Sequence, residues 1–355
     1  MMIFREKLAG TLTGLTMVTA AVVPCIMSSC APTATESRVE NAEAMRVDTL
    51  TLALDWSPNV LHTGIFLADH RGWYRDAGIH LSWFTTEVDN YQRKPVQRIV
   101  AGEVDLAIAP SEHLFYFRAD DEARNPLAIA TLLQEGRSSF CLKANEEVTS
   151  PGDLKDHSYV GYQTPLEKAI LQAMVTYAGG DFELPMDTPG RLQVWDAFME
   201  AERRVAWIFR HWEGALAEQS GVELTCFDPE DYGVPYGYSS VVMATPQLVE
   251  TRESSVRAFL EVTERGYRAA AAMDLDSLAG LLHEAVPHSN FAEAEMVQNA
   301  LRNIHDAFFR EGQDWGRMEP EVWANYLEWI RKAVPQELPD EMYPAETYFT
   351  NDFLE

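Results

Sequence analysis

From Asp48 onward the apolar positions change period again and again. DTLTLALDW (48–56) alternates apolar and polar side chains as a half-buried strand does. NVLHTGIFLADHRGWYRDAG (59–78) then spaces its apolar residues three and four apart, predicting a helical stretch that ends at Gly78. IHLSWFTT (79–86) reads as a strand, and YQRKPVQRIVAG (91–102) as a helix stopped by Gly102. VDLAIAP (104–110) is a short buried strand, and SEHLFYFRADD (111–121) opens another helix with Ser111 placed to cap it. PLAIATLLQ (126–134) and SSFCLKA (138–144) add two strands. This βαβα alternation predicts a parallel α/β sheet with helices on its faces.

A second unit begins near Ser150. PGDL (151–154) predicts a short helix, SYVGY (158–162) a strand, and Thr164-Pro165 the start of a helix, since proline at the first helical position loses no hydrogen bond. Then come a strand at LQVW (192–195), a helix at DAFMEAERR (196–204), a strand at VAWIF (205–209) and a helix at HWEGALAEQ (211–219). ELTCF (223–227) leads through the turn-rich DPEDYGVPYG (228–237) into the strand YSSVVMAT (238–245), and helix dominates thereafter. The expected architecture is a two-lobed α/β clamshell. The chain leaves the first lobe near Cys141 and returns near Ser239, so that 48–142 and 238–355 form lobe 1 and 143–237 form lobe 2. In such folds ligands lie between the lobes, where strand ends and helix N-termini converge.

Composition narrows the function classes. The chain carries 55 Asp and Glu against 28 Lys and Arg, a formal charge of −27, which disfavours a nucleic-acid partner because phosphates find no basic patch. No Ser-His-acid order, metal-ligand spacing or nucleotide-binding loop stands out, so neither catalytic nor metal-ligating residues are assigned. Cys141 and Cys226 lack a zinc-type pattern and read either as a disulfide or as two buried thiols.

The first residues have the layout of an export signal. Arg5 and Lys7 precede an apolar run from Leu8 to Met27, and Met27-Ser28-Ser29-Cys30 comes next. The small pair before a cysteine resembles a lipoprotein signal, predicting cleavage after residue 29, lipid on Cys30, and a flexible polar tether over 30–47. The expected location is the cell envelope, periplasm or outer face of the cytoplasmic membrane, with the protein anchored through its lipid.

One stretch carries a family likeness. Asp55-Trp56, Pro58, His62, Gly72-Trp73-Tyr74 and Ala77-Gly78 resemble the opening of importer binding proteins for the pyrimidine precursor of thiamine, and equally that of the fungal enzyme that makes this pyrimidine phosphate. AGEVDLAIAPSEHL, SPGDLKDHSYVGY and WGRMEPEVWANYLEWI extend the likeness over most of the chain after the tether. The resemblance implies a type II periplasmic binding protein fold, a small-molecule ligand without cofactor, and the permease subunits of an ABC importer as partners of a monomer. Two departures from the enzyme stand out. Ala109 occupies the position of its lysine for pyridoxal phosphate, four residues before His113, and no cysteine lies in VPYGYSSV, where the enzyme has an iron-binding cysteine run.

The candidate ligand-binding residues sit at strand-to-helix junctions. Trp56 is either a core aromatic or a stacking face for a flat ring; Asp55 and Asn59 either cap the next helix or present polar edges to a ligand. His62 and His113 are each pocket histidines or satisfied structural ones. Tyr162, Gln163 and Thr164 lie at a helix N-terminus able to bind an anion, although the glycine-rich phosphate loop of the related enzyme is missing there. Trp212 and Glu213 resemble the family pair that faces the pyrimidine, against the alternative of an exposed helix acid. Tyr236 and Tyr238 lie where the chain returns to lobe 1. With no Arg or Lys among these candidates, an aminopyrimidine fits better than the sulfonate, taurine or nitrate ligands of related importers. A degenerate relative of the pyrimidine synthase is the alternative from another class.

Overall fold

The structure, a computed structural model, describes residues 47–117, 121–145, 147–162, 164–190, 193–309, 312, 314–339 and 343–354. The expected export signal, the tether with Cys30 up to residue 46, and Gln163 lie outside the described residues.

Among the described residues, ten strands form two five-stranded sheets. The first contains β1 (Asp48–Ala53), β2 (Ile79–Phe84), β3 (Leu106–Ala109), β4 (Leu127–Thr131) and β10 (Val241–Ala244), in the order β2-β1-β3-β10-β4. The second contains β5 (Ser138–Lys143), β6 (Ser158–Val160), β7 (Met186–Asp187), β8 (Arg204–Phe209) and β9 (Leu224–Phe227), in the order β7-β6-β8-β5-β9. The sheets are mixed rather than parallel. Strands joined through a helix pair in parallel, as β1 does with β2 and β3, and β6 with β8. The two strands that enter a sheet directly from the other one, β5 and β10, run antiparallel to their neighbours. The chain therefore passes to the second sheet between Thr131 and Ser138, ahead of the expected exit near Cys141, which lies inside β5.

Local chemistry explains most boundaries. The helical stretch after β1 is interrupted: Val60–His62 forms a 3₁₀ turn, Thr63–His70 an α-helix, and Gly72 at φ 73° breaks it before the short helix Trp73–Asp76. Gly102, at φ 72°, ends the helix Pro95–Ala101 in the left-handed conformation that glycine adopts without strain. Of the strand expected over 192–195, the described residues 193–195 do not pair. Val194 opens the helix Val194–Glu200, whose buried Val194, Ala197 and Phe198 recur three and four apart, a period that a strand cannot bury.

Packing then fixes the strand ends. The helix Thr63–His70 lies so close against the helix Glu253–Ala271 that a Cβ at Gly266 would sit 2.0 Å from the Gly64 carbonyl oxygen. Tyr74 and Thr263 share a buried hydroxyl hydrogen bond of 2.7 Å across this contact. The late aromatics are core: Trp323 and Tyr326, on the helix Pro320–Ala333, pack edge-on against Phe115. In the second sheet Cys141 of β5 lies directly opposite Cys226 of β9, and the two form a disulfide. That resolves the cysteine alternatives in favour of a bridge.

Candidate ligand-binding cleft

A cavity of about 190 Å³ opens where loops from both sheets meet. At roughly 30 Å³ per water it has room for about six waters, the space of a small ring with substituents.

The turn after β1 builds one wall. Asn59 caps the 3₁₀ turn, its Oδ1 accepting from Leu61 N at 2.8 Å, and its amide donates to Ser57 O at 3.0 Å. It lines the cavity, but its polar atoms serve the turn. Asp55 also lines the cavity and is held on both oxygens: His62 Nε2 donates to Oδ1 at 2.9 Å and Ser240 Oγ donates to Oδ2 at 2.6 Å. Asn59 N donates to His62 Nδ1 at 3.4 Å, which leaves Nε2 as the ring nitrogen facing Asp55. Burial pushes the Asp55 carboxyl up, but the His62 and Ser240 donors outweigh it and hold it below its ordinary value, an anion at neutral pH. His62 itself is fully buried, packed on Phe66 behind Asp55, and does not reach the cavity wall. Trp56 does. Its indole meets Tyr91 at 4.3 Å between ring centres and the edge of Tyr162, from the second sheet, at 5.7 Å. Tyr91 stands in the left-handed region at φ 60° and accepts a hydrogen bond from Ser57 N at 2.9 Å, which pins its ring over Trp56.

The loop after β3 contributes Pro110, Glu112 and His113, while Ala109 stays fully buried within the strand. Burial pushes the Glu112 carboxyl up to about 7, against its own amide and the charge of Lys94. Arg93 and Lys94 also reach the wall, correcting the expectation of a cleft without basic residues. Arg93 is paired with Glu103.

The second sheet supplies the facing wall. Tyr162 and Thr164 line the cavity ahead of the helix Pro165–Tyr177, which Thr164 caps by accepting from Glu167 N at 3.2 Å. The N-terminus is already occupied by the buried carboxylate of Glu167. Its oxygens accept from Tyr162 N at 2.8 Å, Tyr159 OH at 2.9 Å and Thr164 Oγ1 at 2.8 Å. After β8 the chain makes one π-helical turn, Arg210–Gly214, that turns His211, Trp212 and Glu213 to the cavity. Glu213 is buried, not an exposed helix acid; it accepts from Phe209 N at 3.0 Å, and the Tyr162 hydroxyl beside it works against the rise that burial gives its carboxyl. Burial raises its carboxyl to about 7 and lowers the His211 imidazole to about 4, so His211 is neutral. Trp207 and Phe209 of β8, stacked nearly parallel, extend the aromatic lining.

Of the sequence candidates, Asp55, Trp56, Asn59, His113, Tyr162, Thr164, Trp212, Glu213 and Tyr236 line this one cavity. His62 and Tyr238 do not. Tyr238 is core, its hydroxyl accepting from Glu319 N at 2.8 Å, because its ring points away from the cavity that Tyr236 faces. Sequence reasoning misses Tyr91, Glu112, Trp207, His211 and Ser240. Glu112 and His211 stand beside candidate residues, whereas Trp207 sits mid-strand in an apolar run and carries no local signal.

Two mixed α/β halves with a ligand-sized cavity between them define the periplasmic binding protein class of fold. Within it, the chain belongs to the NMT1/THI5-like family, whose model matches residues 59–274. A formylaminopyrimidine-binding protein of Halalkalibacterium halodurans is 25% identical over 289 residues, covering 80% of this chain and 85% of the relative. The periplasmic aliphatic sulphonate binding protein SsuA from Escherichia coli superposes with a TM-score of 0.64 at 14% identity, covering 85% of this chain and 97% of that one. The desulfurization enzyme DSZB has the same fold, with a TM-score of 0.54 at 12% identity over 86% of this chain and 97% of its own.

Proposed function

We propose that this chain is the solute-binding component of an ABC importer and that its ligand is an aminopyrimidine of the thiamine-precursor kind. The observation that carries this reading is the lining: four carboxyl groups, Asp55, Glu112, Glu167 and Glu213, among tyrosine and tryptophan rings. An aminopyrimidine edge offers an amine donor beside a ring-nitrogen acceptor. A carboxyl titrating near 7, as Glu213 does, answers both as acceptor and as acid. The ring fills the space beside Trp56 and Tyr162, and Asp55 takes a further N–H. The name of the relative from Halalkalibacterium halodurans points to the same ligand class.

An oxyanion fits less well. The helix N-terminus that would bind it is filled by Glu167, and Arg93 is tied to Glu103. A sulfonate remains the second reading because Lys94 stands on the wall. Binding rather than catalysis follows from Ala109, which leaves no amine at that position to hold pyridoxal phosphate by a Schiff base. The fold alone does not decide this point, since an enzyme shares it.

The strands β1–β4 and β10 belong to one lobe and β5–β9 to the other in this reading, and their closure on ligand forms the face that the permease recognises. Export by the N-terminal signal, lipid on Cys30, a tether over 30–47 and a monomeric state complete it. Thermal denaturation of the purified protein with aminopyrimidines, thiamine, taurine and pyridoxal phosphate tests it. Stabilisation should follow ln(1 + [L]/Kd) for the pyrimidines; a shift with taurine alone refutes the ligand, and an absorbance band with pyridoxal phosphate refutes the binding-only role.

A further inference from the structure

The wall beside Trp56 is carried by a strap, residues 85–94, that runs from the end of β2 to the helix Pro95–Ala101. Its 3₁₀ turn, Thr86–Asp89, is capped by Thr85, whose Oγ1 accepts from Glu87 N at 3.2 Å. Asn90 and Tyr91 then stand at φ 54° and 60°, the only non-glycine residues in the left-handed region among the described residues. Such a backbone is disfavoured and persists where the surrounding contacts over-determine it. Here those contacts converge on one carboxylate, that of Glu87.

Tyr91 lays its ring on Trp56 and lines the cavity. Its hydroxyl accepts from Ser57 N at 2.9 Å and meets Ser57 Oγ at 3.0 Å. Ser57 Oγ donates its one proton to Glu87 Oε1 at 2.7 Å, so the Tyr91 hydroxyl is the donor in its bond to Ser57 Oγ. Glu87 Oε2 accepts from Thr85 Oγ1 at 3.0 Å and from His288 Nε2 at 3.1 Å. The segment that brings His288, between the helices Leu275–Ala285 and Ala294–Arg302, also donates from Asn290 Nδ2 to Pro58 O at 2.9 Å. Burial raises the Glu87 carboxyl, but its donors outweigh this and hold it below its ordinary value, an anion able to accept from Ser57, Thr85 and His288 together. Glu87 thus joins the strap, the turn after β1 and the His288 segment, while it is itself exposed and does not line the cavity.

Resting on the reading of this cavity as a ligand cleft, we propose that Glu87 is the positioning residue of its aromatic wall: it holds the Tyr91 ring against Trp56 in the empty protein, so that the stacking face for a flat heteroaromatic ring is in place before the ligand arrives. A wall that must be ordered during binding subtracts its ordering entropy from the affinity, and a wall ordered beforehand does not. With the carboxylate gone, Ser57 and His288 lose their common acceptor, and Asn90 and Tyr91 can leave the left-handed region. Glu87 touches no ligand and acts through Tyr91.

Glu87→Ala, Tyr91→Ala and the double variant test this by calorimetric titration with the aminomethyl- and the N-formylaminomethyl-substituted aminopyrimidine, each variant being checked for a cooperative melt. Glu87→Ala should bind the tighter of the two ligands about fivefold more weakly, the scale of one hydrogen bond. In the Tyr91→Ala background the same change should weaken binding by less than about twofold, since the ring it positions is gone. Equal losses in both backgrounds, or native affinity in Glu87→Ala, overturn the inference. Should Glu87→Ala fail to fold, Ser57→Ala removes the middle member of the same hydrogen-bonded chain and must show the same dependence on Tyr91. Near-UV circular dichroism of the ligand-free protein reads the Trp56–Tyr91 contact directly. Glu87→Ala should shift the native spectrum toward that of Tyr91→Ala, and an unshifted spectrum overturns the inference even where neither pyrimidine binds. Failure of both pyrimidines to bind the native protein is a failure of the proposed function, read apart from the role of Glu87.

Discussion

Replacing His62 by phenylalanine isolates the bond that holds Asp55. His62 is fully buried and packs edge-on against Phe66 with ring centres 5.6 Å apart, a contact that a phenylalanine ring of similar size keeps. What the change removes is the Nε2 donor 2.9 Å from Asp55 Oδ1, leaving Ser240 as the remaining side-chain donor of a carboxylate whose side chain is 14% exposed. Loss of one charge-assisted hydrogen bond to a buried anion costs about 2–3 kcal/mol, and retention of the ring volume keeps the cavity contribution small. The pH dependence follows from the direction of the Asp55 shift. Its folded carboxyl lies below the ordinary 3.8, so its stabilising contribution is complete above that value and is lost as pH falls through the folded value. Urea denaturation at pH 7 should show a lower midpoint with unchanged slope, and the deficit should narrow only as pH falls below 3.8. Affinity for the pyrimidine should fall in parallel, because the surviving Ser240 bond fixes one oxygen alone. A deficit below about 0.5 kcal/mol at pH 7, or one that stays as large at low pH, refutes the reasoning.

Two further outcomes are expected. Glu213→Gln should raise stability at pH 8 by up to about 3 kcal/mol while weakening pyrimidine binding, because burial lifts the carboxyl to about 7 and its ionisation in the folded state opposes folding as pH rises from about 4.5. Thermal denaturation of variant and native protein at pH 5 and pH 8 checks it: the gain must fall to about 1 kcal/mol or less at pH 5. Replacing Cys141 and Cys226 by serine opens a loop of 85 residues, for which the chain-entropy relation gives about 4.6 kcal/mol as an upper scale; a fall of about 2–4 kcal/mol in urea is expected, and an unchanged midpoint would show that the bridge adds nothing to stability.

The turn after β1 shows how far sequence carries. Its strand and its family motif are legible between Leu54 and Gly78, and so is the choice between capping and binding. The structure divides the roles among the residues: Asn59 caps, His62 holds Asp55, and Asp55 and Trp56 face the cavity. No periodicity distinguishes these roles, because all four residues lie within one irregular turn. The strand expected over 192–195 fails for the converse reason, since a short apolar run fits either period and the helix buries it better. The basic wall residues escape notice because Arg93 and Lys94 precede their helix on an irregular segment, where spacing carries no orientation.

By itself, the sequence determined most of the order of strands and helices, the acidic balance and the family, all of which reside in local spacing and residue type. The tertiary structure alone decided which side chains share the cleft. Ser240 donates to Asp55 across 185 residues, and Trp56 meets Tyr162 from the other sheet. Such pairs are set by where strands end and how two sheets face each other, which chain proximity does not encode. Whether a histidine reaches a ligand or stands behind an aspartate is settled by packing, because that choice depends on the atoms on every side of the ring.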